Sequence, residues 1–382
     1  MRLLVDLSSI PLKDNLDTGL TRYATRLLKG FAEEGQTDIT LLVPSAKEDL
    51  FKSTFPSFKT IGFKRHKRIP VLSKPFPRHF LDSFKWRRTI NDSGCDLVFR
   101  PFLGTQFDFW RLRVPFVLTV HDLQLYKTTT FFNSFISKYF LFPIIVRQAE
   151  KIIAISDFVK KDIISFFKGV PENKVTVIHN GVVYPEDNEN LLFPIKDKPF
   201  ILTVNTLVPY KNVITLVKAF NLIKDEIPHD LVIVGRESVY WKKVLYKYIQ
   251  QNQLEDRVKR VGPISDSDLW RLYRKAVLFV STSLLEGFGY TPVEAGIAGT
   301  KVLSTTETAL PESTMGLVNY YEPATDHEVL AKRIIETLEK DDLKERENIS
   351  ESFKKEYDHK ARAADVYSLL REVYESTVFD RE

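Results

Sequence analysis

The chain has 382 residues, 43% hydrophobic and 27% charged, which is enough to bury two cores of ordinary domain size and too much for a single small module. Its one cysteine, Cys95, excludes an internal disulfide and any cysteine-based metal cluster, and suits a reducing compartment, so the cytoplasm is the expected location. Charge is unevenly divided, with 28 basic against 17 acidic side chains over residues 1–183 and 27 against 33 over residues 184–382.

The first segment, "MRLLVDLSS", carries Asp6 inside its apolar run and no small-residue cleavage site, and reads as a buried strand, not a signal peptide. Apolar residues then recur at Leu20, Tyr23, Ala24, Leu27, Leu28 and Phe31 with a helical period, and Gly19 stands where that helix begins. Further strands are "DITLLVP", "CDLVF", "FVLTV", "KIIAIS" and "KVTVI", each followed by polar residues or a helical stretch. The longest apolar region, Phe131 to Val146, is interrupted by Asn133, Ser134, Ser137, Lys138 and Pro143, and is expected to form a core helix, not a membrane span.

A polar, acidic stretch from Tyr184 to Pro199 breaks the pattern, and "FILTVN" restarts it. The domain boundary is placed there, giving domains over residues 1–183 and 184–360. The second half alternates "FILTVN", "DLVIVG", "VKRVG", "AVLFVS" and "TKVLST" with helical segments, and a last amphipathic helix carries Ala363, Val366, Tyr367, Leu370, Val373 and Tyr374 on one stripe. Repeated strand and helix units of this kind imply an α/β protein with two doubly wound parallel sheets. "SDSDL", Ser265 to Leu269, contains an Asp-x-Asp that elsewhere suggests a metal-bound diphosphate; set before "WRLYRKA" it reads as a helix N-cap, and no metal is expected.

The chemistry concentrates in "STSLLEGFGYTPVEAGIAGT", residues 281–300. Glu286 falls in the loop after an apolar parallel strand, and Glu294 about one turn into the following helix, with Pro292 tolerated in the first turn. Ligands of such sheets sit beyond the carboxyl ends of the strands. Gly287 and Gly289 let backbone approach a ligand, and the helix N-terminus offers unpaired N–H groups to phosphate, while a deeper carboxylate suits a ribose diol.

That loop, "EGFGYTPVEAGIAG", resembles the signature of the retaining, nucleotide-sugar-dependent glycosyltransferases of family GT4, whose GT-B fold has two Rossmann-like domains facing a central cleft. Other matches follow in order along essentially the whole chain: "TGLTRYATRLL", "VLTVHDL", "AEKIIAISDFVKKDI", "KVTVIHNGV", "NTLVPYKN", "LVIVGRES" and "YYEPATDHEVLAKRI". The resemblance implies that Glu294 binds the nucleotide ribose and Glu286 the donor sugar, with backbone around Gly287, Phe288, Gly289 and Tyr290 holding sugar and phosphate. It implies that Lys211 neutralises the departing diphosphate, that His121 touches the sugar, and that Gly19 leaves room for diphosphate and acceptor. Arg22 and Asp122 are the acceptor-side candidates. It also implies that the last helix, 361–382, crosses back to the first domain. Where many members of the family carry an arginine before the lysine, this sequence has Thr206 and Tyr210, and Arg236 is the candidate second cation.

Between Lys52 and Arg88 eleven basic residues face one acid, Asp82, with Phe55, Phe58, Phe63, Phe76, Phe80, Phe84 and Trp86 interleaved. This composition suits peripheral contact with an anionic membrane surface; nucleic acid is the less favoured partner and is not expected. The sequence therefore reads as a hexosyltransferase that moves a hexose or deoxyhexose from a nucleotide diphosphate sugar to a saccharide or lipid-linked saccharide in surface polysaccharide or lipopolysaccharide synthesis, with no cofactor. The donor leans to GDP-mannose, with a UDP-sugar as the alternative. The competing reading is a non-catalytic nucleotide- or glycan-binding protein of the same fold.

Overall fold

In a computed structural model, residues 1–10, 19–65, 75–103, 112–123, 142–185, 198–340 and 343–379 are described, with side chains from residue 81 onward in the helix Pro75–Asn91. The chain divides into two compact units, Met1–Gly181 with His359–Glu382, and Val182–Asp358. Most of the linker stretch, residues 186–197, and residues 131–141 of the apolar region lie outside the described residues; its end is the helix Phe142–Gln148.

The first unit is built on β1 (Leu3–Asp6), β2 (Ile39–Pro44), β3 (Lys59–Phe63), β4 (Leu97–Arg100), β5 (Phe116–Val120), β6 (Lys151–Ala154) and β7 (Val175–Val177). They form one seven-stranded sheet in the order β3-β2-β1-β4-β5-β6-β7, and every pairing is parallel. The inner strands β1, β4 and β5 are buried along their whole length, as a parallel sheet covered by helices requires. The helix Gly19–Glu33 buries Tyr23, Ala24, Leu27, Leu28 and Phe31, each aliphatic or aromatic side chain contributing about 1.5–3 kcal/mol. Gly30 on that helix allows the helix His359–Phe379 to pack against it, since a Cβ there would collide with Ala363. Val366, Leu370 and Val373 join the same core.

The second unit carries β8 (Phe200–Val204), β9 (Asp230–Val234), β10 (Val258–Val261), β11 (Leu278–Ser281), β12 (Lys301–Thr305) and β13 (Asn319–Tyr321), again all parallel, in the order β10-β9-β8-β11-β12-β13. Both sheets thus reverse direction beside their first strand, β1 against β4 and β8 against β11. The loops leaving those strands are where a doubly wound sheet opens a ligand crevice.

The "SDSDL" segment does start a capped helix: the Ser265 hydroxyl accepts from the Asp268 N–H at 3.1 Å, and the two aspartates, Asp266 and Asp268, occupy the first turn of Asp266–Lys275. β3 and β13, absent from the reading of the sequence, are both edge strands. β3 is only partly buried, so it needs no continuous apolar run.

Candidate functional site

The loops after β8 and β11 meet at the reversal of the second sheet. After β8 the chain turns through a short 3-10 helix, Pro209–Lys211, and Asn212 takes a left-handed conformation at φ 52° that its short amide side chain tolerates. Asn212 is itself held, donating to the Ala324 carbonyl at 2.9 Å and accepting from the Thr215 hydroxyl at 2.7 Å. Two hydrogen bonds staple this turn to the β11 loop: the Leu284 N–H donates to the Tyr210 carbonyl at 2.9 Å and the Thr282 hydroxyl to the Lys211 carbonyl at 2.8 Å. Lys211 and Glu286 are thereby brought together, Nζ to Oε1, at 2.5 Å, with each side chain 14% exposed. The Lys211 ammonium also lies 5.5 Å from the Tyr210 ring centroid. The Glu286 N–H donates to the Thr308 hydroxyl at 3.0 Å, tying the β11 loop to the loop after β12.

Downstream, Gly289 is the N-cap residue of the helix Tyr290–Ile297 with φ 94°, and no side chain caps that helix. A Cβ on Gly289 would lie 2.7 Å from Leu310 Cδ2, so both conformation and space require glycine. Phe288 is 2% exposed, its ring edge-on to Tyr290 and Tyr357, each at 5.3 Å. Its side chain belongs to the core beneath the loop. Gly287 is buried and Tyr290 half-buried. Glu294 is 3% exposed and accepts a hydrogen bond at Oε2 from the hydroxyl of Tyr273, itself fully buried, at 3.1 Å. Tyr273 and Thr308 were not singled out in the sequence, and no local motif marks either.

The remaining second-unit candidates do not join the pair. Thr206 is exposed in the loop after β8, and Arg236 is exposed in the loop after β9, the strand beside β8. Arg260 is the neighbour with contacts there, donating to the Gly235 carbonyl at 3.1 Å and stacking over Trp241 at 5.3 Å.

In the first unit His121 leaves β5 with its Nε2 2.8 Å from the Pro101 carbonyl. A carbonyl only accepts, so Nε2 carries the proton and Nδ1 is left as the acceptor of the neutral ring. Burial pushes the His121 pKa down to about 4, the Pro101 hydrogen bond opposing this in part. Tyr23, another residue the sequence did not mark for the site, packs its ring edge-on to His121 at 4.5 Å and has its hydroxyl 3.2 Å from that of Thr119. Asp122 is exposed, Arg22 half-buried, and Gly19 exposed, with no atom of the described residues within 4 Å of a hypothetical Cβ.

Two families match the chain: residues 18–183 match the family described as Glycosyltransferase Family 4, and residues 186–356 that described as Glycosyl transferases group 1. The O-antigen chain mannosyltransferase RfbU of Salmonella typhimurium is 30% identical over 190 residues, 49% of this chain and 50% of its own. The chain thus spans about half the length of the curated relatives it matches. Among solved structures, the sucrose-phosphate synthase of Thermosynechococcus elongatus superposes with a TM-score of 0.77 at 19% identity over 98% of this chain and 99% of its own. The Anabaena protein HepE, solved in complex with UDP and glucose, superposes with a TM-score of 0.70 at 18% identity over 97% and 99%.

Proposed function

Because this chain belongs to the glycosyltransferases of family 4 and group 1, with their GT-B fold, we propose that it transfers a hexose or deoxyhexose from a nucleoside diphosphate sugar bound in the second unit. The observation that carries the reading is the Lys211–Glu286 pair at the sheet reversal, with Glu294 buried on the helix that follows. In this reading Lys211, and not a metal ion, meets the charge that develops on the diphosphate as it leaves. Glu286 accepts hydrogen bonds from sugar hydroxyls and Glu294 from the ribose.

The reaction proceeds with retention. The bond from the anomeric carbon to the phosphate oxygen breaks, the acceptor oxygen bonds to that carbon on the same face, and the acceptor hydroxyl's proton passes to the leaving phosphate oxygen. In this reading His121 of the first unit is neutral and offers Nδ1 as a hydrogen-bond acceptor, and is not a cation. The names of relatives such as the Salmonella O-antigen chain mannosyltransferase support mannose as the transferred sugar and a surface saccharide as the acceptor; GDP as the nucleotide rests on the sequence resemblance alone.

The experiment is a panel of GDP-, UDP-, dTDP- and ADP-sugars, read by thermal shift and by release of nucleoside diphosphate. Stabilisation by one nucleotide that disappears in Glu294→Ala supports the site. Silence from every donor in folded protein favours the non-catalytic binder.

The acceptor side of the proposal is an anionic membrane face. No helix among the described residues is long and apolar enough to cross a membrane. The helix Pro75–Asn91, however, exposes Leu81 (42%) and Phe84 (57%) beside exposed Lys85 and Arg88, at helical positions that share one face. Each such basic residue contributes about 1 kcal/mol near an anionic surface. Residues 66–74 of the basic stretch lie outside the described residues. Sedimentation with phosphatidylglycerol vesicles should be strong at low salt and weakened by Phe84→Ser; protein that stays in the supernatant at low salt overturns this part.

A further inference from the structure

Thr308 combines two features that do not belong together in an ordinary turn. Its φ is 54°, in the left-handed region, which a β-branched side chain enters only under strain. Glycine is the residue that conformation favours. Yet the position holds a threonine whose hydroxyl accepts the Glu286 N–H at 3.0 Å. Strain retained in a loop points to a task that the side chain performs and the backbone does not need.

The surrounding bonds say what the task is. The end of β12 and the loop after it are laced to the loop after β11, by the Thr305 hydroxyl donating to the Ser283 carbonyl at 2.9 Å and by the Glu286 N–H donating to the Thr308 hydroxyl. The first bond fixes the strand exits; the second fixes the peptide of Glu286, whose carboxylate reaches Lys211 at 2.5 Å. A rotation of that peptide swings the carboxylate off the ammonium.

We infer that Thr308 is a positioning residue: its hydroxyl holds the Glu286 backbone in the phase that presents the Glu286 carboxylate to the donor sugar. The role in turnover rests on the reading of the site given above, whereas the hold on the Glu286 amide does not. The hold acts on the sugar-binding carboxylate and leaves the nucleotide contacts of Glu294 alone. Loss of the hydroxyl therefore lowers kcat without weakening nucleoside diphosphate binding.

Three variants separate strain from function. Thr308→Val keeps the branching and removes the acceptor, Thr308→Gly removes both acceptor and strain, and Thr308→Ser keeps the acceptor. Hydrogen exchange at the Glu286 amide should quicken about tenfold in the Val and Gly variants and stay near the parent rate in Ser. Turnover of the sugar nucleotide should fall about 10- to 100-fold in Val and Gly, as for a catalytic group displaced by a fraction of an ångström to an ångström, with Ser rescuing it. The Kd for the nucleoside diphosphate should stay within about threefold throughout, while Thr308→Gly keeps or raises Tm. An unchanged Glu286 amide in Val and Gly overturns the inference whatever the activity. Altered exchange with undiminished turnover overturns the positioning role, and a parent protein inert to every donor, with the exchange effect intact, overturns only the reading of the site.

Discussion

Tyr273→Phe removes one oxygen from the second unit and little else. The helix Asp266–Lys275 keeps its Ser265 cap, and the Thr300 hydroxyl still donates to the backbone carbonyl of residue 273. What is lost is the 3.1 Å hydrogen bond to Glu294 Oε2, in a place where Glu294 is 3% exposed and water is a poor substitute. A hydrogen bond to a charged group contributes about 1.5–3 kcal/mol, and loss of one from a buried carboxylate falls in that range. The second unit should therefore melt several degrees lower. If Tyr273 also aims the carboxylate at a ribose, part of the loss appears in binding, and about 1.4 kcal/mol of it raises the Kd of a nucleoside diphosphate tenfold. The ligand supplies the control. A 2′,3′-dideoxy nucleoside diphosphate has no diol for Glu294 to accept from, so Tyr273→Phe should leave its affinity, measured by calorimetry, unchanged. Equal losses for the ribo and dideoxy ligands would refute the route through Glu294, and a lower melting point with unaltered ribonucleotide binding would reduce Tyr273 to a packing residue.

Gly289→Ala should destabilise the second unit by about 2–4 kcal/mol, from about 1–2 for a side chain at φ 94° and the rest from overpacking against Leu310, read as a lower urea midpoint. A midpoint equal to the parent's would mean that neither the conformation nor the space is restrictive. His121, with its pKa lowered to about 4, binds a proton in the unfolded chain between about 6.5 and 4 but not in the folded one. Its contribution to stability is therefore present above pH 6.5 and lost as pH falls towards 4, by at most about 3 kcal/mol for this half-buried ring. His121→Gln should flatten that slope in urea titrations across the range, and superimposable profiles would contradict the assignment.

What the sequence discloses and what it withholds divide along physical lines. β4, β5, β8 and β11 are legible because a parallel strand covered on both faces is mostly apolar, with Arg100, Thr119, Thr203 and Ser281 as the polar residues near their ends, and so is the glycine at 289, because a left-handed N-cap leaves few other choices. Edge strands such as β3 carry no such obligation. Glu286 and Lys211 are 75 positions apart, and the sequence places each in a motif at a strand exit on one crevice; that their side chains pair with each other is visible only in the structure. Tyr273 is one of 15 tyrosines, and its contact with Glu294 exists only because the sheet order sets one helix against another.

Thr308 is withheld for a deeper reason. Residue preference assigns a left-handed turn to glycine or asparagine, so propensity argues against the conformation that this threonine adopts. Gly19 shows no such conflict: among the described residues nothing lies within 4 Å of a Cβ placed there. Where local preference and observed conformation agree, the fold accounts for the residue. At Thr308 they conflict, and the contact that distinguishes the threonine there is the hydrogen bond its hydroxyl accepts from the Glu286 amide.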